Sequence, residues 1–447
     1  MKTESSTHSV SLETQSPPPA KAAIDSLGTA VVGRRSFLRK MGIAGASLAP
    51  VTALLLKGGK ALGKELRRGL TEGDVAILRF LAAAEILETD LWQQYNELGG
   101  VQDAEVPGGS GNPAFTAALQ NLDSDMAQYI HDNTDDENSH QMFLNAFLQS
   151  VGAQPVNLDR FRTLPSSQAT GAQQIGRLTS LTQLNLDTSW YARYRSTQNP
   201  DFGAPFSSPF PIMNRPGIPL NDTDTPPGTD VTPPITTRDA IRVQAIADTA
   251  AFHFATIEQG GSSLYGSFIP RETSLVVLRI LYAIGGSEVA HFQTWHDKAG
   301  NAVSTPLAPL TDPTAPLVTF PDLNSPPFDT EAFQTNLIMP EPCDFISKSL
   351  PACSIIRPTL RKNAGPLAVV AFLTNMNLFM GQSQEFFDTL MRIAKAAEKA
   401  RRQLEEMESE KDEEDLTNLF SYNAERPFLT RIGSVGRYRV EHAAPFP

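Results

Sequence analysis

The sequence predicts an all-α protein built on four long helices. Three observations carry that expectation. Apolar residues recur at i, i+3, i+4 and i+7 over four long stretches, the period of a helix with one buried face. Glycine and proline close those stretches at Gly99-Gly100, Pro107–Pro113, Pro270 and Gly300. Ionisable residues interrupt the apolar stripes where leucines belong, as in Ile130, Glu137, His140, Leu144, Phe147 and Val151, and again in Val277, Ile280, Ile284, Glu288, His291 and Trp295. A buried carboxylate and imidazole need partners, three residues apart is a spacing at which helix side chains meet, and one metal ion can serve both.

The first helix follows Leu70. Thr71 or Asp74 can cap it, and Leu78, Leu81, Glu85, Glu88, Trp92 and Tyr95 form its stripe before Gly99-Gly100. A second helix is expected from Pro113 to Val151, then a shorter one from Ala172 to about Arg195. The proline-rich insertion 196–236 is far longer than an ordinary helix connection, so it reads as a covering loop or a contact arm. The third long helix, Thr237 to Phe268, places Ala247, Ala251, Phe254, Glu258, Tyr265 and Phe268 on one side. Its Gly260-Gly261 costs about 1 kcal/mol per glycine against alanine, which close helix approach or a local bulge must offset. The fourth spans Glu272 to Ala299. Residues 301–365 form a Pro-rich wrapping segment. An additional C-terminal helix, 366–412, begins apolar and ends as a charged run, and 413–447 is a tail.

With 34 prolines and a net charge of −12, the chain lacks the basic patch of a nucleic-acid ligand. Its two cysteines, Cys343 and Cys353, exclude a four-thiolate centre; they could close a small disulfide loop in an oxidising compartment or stay free thiols. Residues 1–33 are Ser/Thr/Pro-rich and read as disordered. In 34–70, Arg34-Arg35-Ser36-Phe37-Leu38-Arg39-Lys40 precedes an apolar, small-residue run from Met41 to Leu56. This resembles a twin-arginine signal, which implies export of a folded, cofactor-loaded protein to the periplasm or envelope. The run is short for a spanning helix, so a membrane-surface helix is the other reading. An uncleaved signal would serve as an anchor, and no other stretch looks long and apolar enough to cross a bilayer.

In chain order the stripes carry Glu85 or Glu88, then Glu137 with His140, then Glu258, then Glu288 with His291. Bundles that hold two metal ions use a Glu on each of two helices and Glu-x-x-His on the other two. The segment 71–300, through Ala84-Glu85-Ile86-Leu87-Glu88-Thr89-Asp90-Leu91-Trp92, Glu137-Asn138-Ser139-His140, Ile257-Glu258 and Glu288-Val289-Ala290-His291, resembles the ferritin-like superfamily, specifically its exported ferritin-like domain proteins. The resemblance implies a ferritin-like four-helix bundle. Its metal ligands would be Glu85, Glu137, His140, Glu258, Glu288 and His291, with Glu88 the alternative first-helix ligand. Family members place an aromatic seven residues after the first- and third-helix ligands. Glu258 with Tyr265 obeys this, as do Glu85 with Trp92 and Glu88 with Tyr95. Tyr95 and Tyr265 are expected to pack and to hydrogen-bond a ligand carboxylate, with Trp92 beside them.

The implied function is an exported dinuclear carboxylate protein, with two iron ions or two manganese ions. It would be a ferroxidase or a peroxide- or oxygen-reducing oxidoreductase, and homo-oligomers are compatible with it. The alternatives are a manganese catalase-like enzyme and a non-enzymatic stress- or desiccation-related envelope scaffold. A rubrerythrin-type peroxidase would need four cysteines, and a storage cage would need a more compact subunit. Of the other histidines, His131 and His253 read as core-edge residues or neighbours of the ligands, His296 as a surface residue, and His8 and His442 as tail residues.

Overall fold

The computed structural model describes residues 70–189, 191, 210–269, 272, 274–326, 340–341, 349, 351, 353–354 and 365–402. The N-terminal tract 1–33, the twin-arginine segment, part of the 196–236 insertion, most of 327–364 with Cys343, and everything after 402 lie outside the described residues. Cys353 is an exposed free thiol.

The chain is mostly helical. Helix α1 (Glu72–Gly99) starts at a reciprocal cap in which the Thr71 hydroxyl accepts the Asp74 amide and the Asp74 carboxylate accepts the Thr71 amide. Next come α2 (Pro113–Gln120), capped by Asn112, and α3 (Met126–Ser150). Helix α4 (Arg238–Phe268) is capped by Thr237, and α5 (Leu275–Ala302) by Ser274. Helix α6 covers Pro366–Asn375, and α7 covers 384–402. The most extensive helix contacts are α4 with α5 and α1 with α3. Trp92, Phe254 and Trp295 stack between these pairs, with centroids 4.7–5.2 Å apart, and Tyr95 meets Phe254 edge-on at 4.5 Å. These elements belong to one unit. The turn Asp103–Glu105, where Asp103 Oδ1 accepts the Glu105 amide at 2.8 Å, falls in another.

Three expected helices differ, two of them in the first half of the chain. The stretch 113–151 is broken at 121–125, because Asn121 Nδ2 donates to Val231 O and Gln244 Oε1, while Asp123 Oδ1 accepts the Asp125 amide. Short polar side chains here bond the backbone in place of a continuous helical ladder. The stretch 172–189, expected as the start of a helix, is not helical. It runs past Asp90 of α1 and enters β1 (Leu184–Asp187), antiparallel to β2 (Pro211–Arg215). Asp90 dictates this course: its Oδ2 accepts the Leu178 and Thr179 amides at 2.9 Å and the Thr179 hydroxyl at 2.8 Å, and its Oδ1 pairs with Arg162 at 2.6 Å. Beside it, buried Arg177 pairs with Glu97 at 2.5 Å.

The proline-rich segments are fastened in the same way. Asp312, just after the short antiparallel pair β3 (Leu310–Thr311) and β4 (Thr319–Phe320) begins, holds both Arg215 and Arg242 at 2.9 Å. A last pair, β5 (Pro340–Glu341) with β6 (Cys353–Ser354), is also antiparallel. The expected single C-terminal helix is interrupted between α6 and α7, where Asn377 (φ 66°) and Gly381 (φ 92°) take left-handed conformations that end a right-handed helix. Helix α5 is long and apolar enough by composition to span a membrane, contrary to the sequence expectation, yet it packs along α4 as a core helix does.

Asp90→Ala would strand the buried Leu178 and Thr179 amides, while Arg162 keeps Asp159. Each buried donor left unsatisfied costs about 1–3 kcal/mol, so a clearly lowered melting temperature is expected, and one within a degree or two of the parent's would refute this role.

Candidate metal centre

Each long helix sends its interrupting residues to one place. Glu85, Glu137, Glu258 and Glu288 are each at most 1% exposed, and His140 and His291 are the partly open edge. The ligand atoms fall into two overlapping groups, Glu85, Glu137, His140 and Glu288, and Glu137, Glu258, Glu288 and His291. Within each group they lie no more than 4.8 Å apart, and Glu137 and Glu288 belong to both. A single atom, His140 Nδ1, stands 2.9 Å from Glu137, 3.3 Å from Glu288 and 3.5 Å from Glu85. His291 Nδ1 stands 3.0 Å from Glu137 and 3.3 Å from Glu258. One ring nitrogen carries one hydrogen or one lone pair, so it cannot satisfy several oxygens. Buried oxygens of Glu85, Glu258 and Glu288 have no hydrogen-bond partner. Convergent, undersatisfied donors of this kind fit a cation.

The surroundings fix these donors. Asn133 Nδ2 donates to Glu137 at 3.0 Å and to Glu258 at 2.9 Å, and its Oδ1 accepts the Trp295 indole N–H at 2.7 Å. Tyr265 donates its hydroxyl to Glu85. The outer nitrogens of the imidazoles are also held: His291 Nε2 meets Asp136 at 3.1 Å and His140 Nε2 meets Ser287 Oγ at 3.1 Å. Since the Ser287 hydrogen goes to Ile284 O at 2.6 Å, its oxygen accepts from Nε2–H. A neutral imidazole so bonded presents an unprotonated Nδ1 inward.

The carboxylates have no arginine or lysine partner among the described residues; the two histidines are their only ion-pairing neighbours. Burial raises the Glu85 carboxyl to about 6 against the opposing charge of His140. Burial likewise raises Glu258 to about 8, partly offset by His291, with repulsion from Glu137 added. For His140 burial alone disfavours the charged ring, but Glu85 and the oxygens of Glu137 and Glu288 prevail and raise it; Glu258, Asp136 and Glu137 do the same for His291.

Glu88 stays outside both groups. It faces a mostly apolar cavity of about 50 Å3 bounded by Leu87, Leu91, Gly261, Leu264 and Phe372, with one buried oxygen unpartnered. Burial and repulsion from Glu137, Glu258, Glu288 and Glu85 push its carboxyl well above the usual range. Gly261 provides the close approach its position demanded: a Cβ there would lie 2.2 Å from Glu288 Oε2. Two expectations need correction. The Tyr95 hydroxyl bonds His253 Nδ1 at 2.7 Å, not a ligand carboxylate, and His253 is kept neutral by burial, its value lowered to about 3. His296 is fully buried against the Tyr191 ring, not on the surface. Trp92 packs on Trp295 with its indole nitrogen unpartnered. The sequence reading missed Asn133, Asp136 and Ser287. Asn133, one helical turn before Glu137, was the most accessible signal.

Comparison with known proteins finds no family model that fits the chain, and no similar curated protein or solved structure. The chemistry of the cluster therefore rests on its own geometry.

Glu85, Glu258, His140 and His291 all bind protons more tightly in the folded, metal-free chain than when unfolded. Their contribution is full below the ordinary carboxylate value and is lost as pH rises. Thermal melts of chelator-treated protein should fall from pH about 4.5 to about 8, and a rise across that window would contradict the cluster's electrostatics. Gly261→Ala should displace Glu288 and weaken metal binding at least tenfold, measured by titration, while the helix keeps its stability.

Proposed function

We propose that this chain is a ferritin-like four-helix-bundle protein holding two metal ions, and that it oxidises ferrous iron or reduces peroxide or dioxygen. The observation that carries the reading is the pair of four-ligand groups sharing Glu137 and Glu288. Glu85 and His140 would complete one ion's shell and Glu258 and His291 the other's, with the two shared carboxylates between them. Such a pair, when bound, supplies electron transfer to or from an oxygen-containing oxidant, with charge neutralised by the four carboxylates.

The chain's own contribution is positional. Asn133 orients Glu137 and Glu258, Tyr265 orients Glu85, and Ser287 and Asp136 keep each imidazole's inward nitrogen available. Burial of the carboxylates excludes bulk water, and the slightly exposed histidines leave a narrow edge for exchange. Oxygen and nitrogen donors of these types accept iron and manganese alike, so a manganese catalase-like activity is the nearest rival. The twin-arginine resemblance supports export to the periplasm or envelope, with loading before translocation.

Protein purified from an exporting host should carry about two equivalents of iron or manganese by elemental analysis, the stoichiometry of a dinuclear site. Glu137→Ala combined with His140→Ala should remove both ions and abolish ferrous oxidation or peroxide consumption. If the parent holds no metal and the double variant melts higher, as removal of unpaired buried polar groups predicts, the bundle is a non-enzymatic scaffold.

A further inference from the structure

A second charged feature lies apart from the carboxylate cluster. Near the start of α1, a cavity of about 160 Å3 is walled by Glu72, Val75, Ala76 and Arg79, and on α7 by Arg392, Ile393 and Ala396. α1 and α7 are in contact there, since a Cβ on Gly73 would come within 3.3 Å of the Ala400 side chain. The Nε of Arg79 is buried and has no hydrogen-bond partner. Among the described residues neither arginine forms an ion pair, although Glu72 borders the same cavity. Burial, and then the charge of Arg392, hold the Arg79 guanidinium below the usual arginine range.

Among the described residues the fully buried guanidinium groups, Arg177, Arg215 and Arg401, are each answered by a carboxylate, whereas partly buried Arg79 and exposed Arg392 are not. Two arginines that share a cavity repel each other, and an unfilled buried N–H costs the desolvation of that group. Planar guanidinium forks match tetrahedral and planar oxyanions with paired hydrogen bonds. We propose that Arg79 and Arg392 form a binding site for a compact oxyanion of the phosphate class, either free or as a phosphate headgroup, independent of the metal centre. Glu72 at the rim opposes a ligand of higher negative charge and tunes the affinity.

The test is isothermal titration of the full chain with inorganic phosphate against chloride at equal ionic strength. Saturable one-to-one binding is expected with phosphate alone, weakened at least tenfold by Arg392→Gln and by Arg79→Gln, and strengthened by Glu72→Gln. Arg392 is exposed, so its variant keeps the test open if the Arg79 variant misfolds. Phosphatidylcholine vesicles carrying phosphatidic acid separate the sources. Capture that phosphate reverses and Arg392→Gln abolishes assigns the headgroup; phosphate binding without capture assigns the free anion. Heats indistinguishable from chloride, or binding unchanged in Arg392→Gln, overturn the proposal.

Discussion

The constraint on which this structure depends is that four buried carboxylates meet with no arginine or lysine beside them among the described residues. At separations under 5 Å, repulsion among such groups in a poorly solvated interior is several kcal/mol even at a generous effective dielectric. Protons or cations must answer it. In the metal-free chain the answer is protons, visible as the raised values of Glu85, Glu258 and both histidines. Every neighbour then has a definite job. Asn133 bridges two carboxylates, Tyr265 donates to a third, and Gly261 omits a side chain so that the fourth can lie against α4.

Three loop-fastening acids sharpen the point. Asp90, Glu97 and Asp312 are also buried, and each is matched by arginine, whereas Asp248, fully buried in α4 beside Gln244, is held neutral by burial. Those three fasten loops to helices: Asp90 gathers the 178–179 amides and Arg162, Glu97 takes Arg177, and Asp312 ties Arg215 of β2 to Arg242 of α4. Arginine neutralises a carboxylate permanently and blocks its lone pairs. Its presence marks structural acids, and its exclusion from the cluster leaves those oxygens open to something removable.

The helical periods and the acids on them could be read directly, because burying a polar residue on a 3.6-residue stripe is a local pattern. The glycine pair after Glu258 was equally legible as a need for close approach. What escaped depends on partners distant in sequence. The break at 121–125 requires Val231 and Gln244, and the non-helical course of 172–189 requires Asp90. Asn133 looks like an ordinary polar helix residue until α4 and α5 bring Glu258 and Trp295 to it. Spacing left both Glu85 and Glu88 open, since both have an aromatic seven residues on; the fold brings Glu85, and not Glu88, to the other ligand atoms, with Tyr265 reaching it from another helix.

The placement of Glu88 follows from the same electrostatics. A fifth carboxylate directed into the cluster would add charge that two imidazoles cannot offset, so it turns toward the apolar cavity beside Leu87 and Phe372. There it is held neutral by burial and by the four acids behind it. The centre thus has two unlike sides. The imidazole edge between α3 and α5 meets solvent through His140, His291 and the half-exposed Asp136, and is suited to charged species. The opposite side, between α1, α4 and α6, is apolar and closed by side chains of the C-terminal segment, where a charged group would be costly and a small neutral one would not. That polarity is imposed by which carboxylates have partners, and it explains why the C-terminal segment must pack on α1 and α4 for the centre to be enclosed.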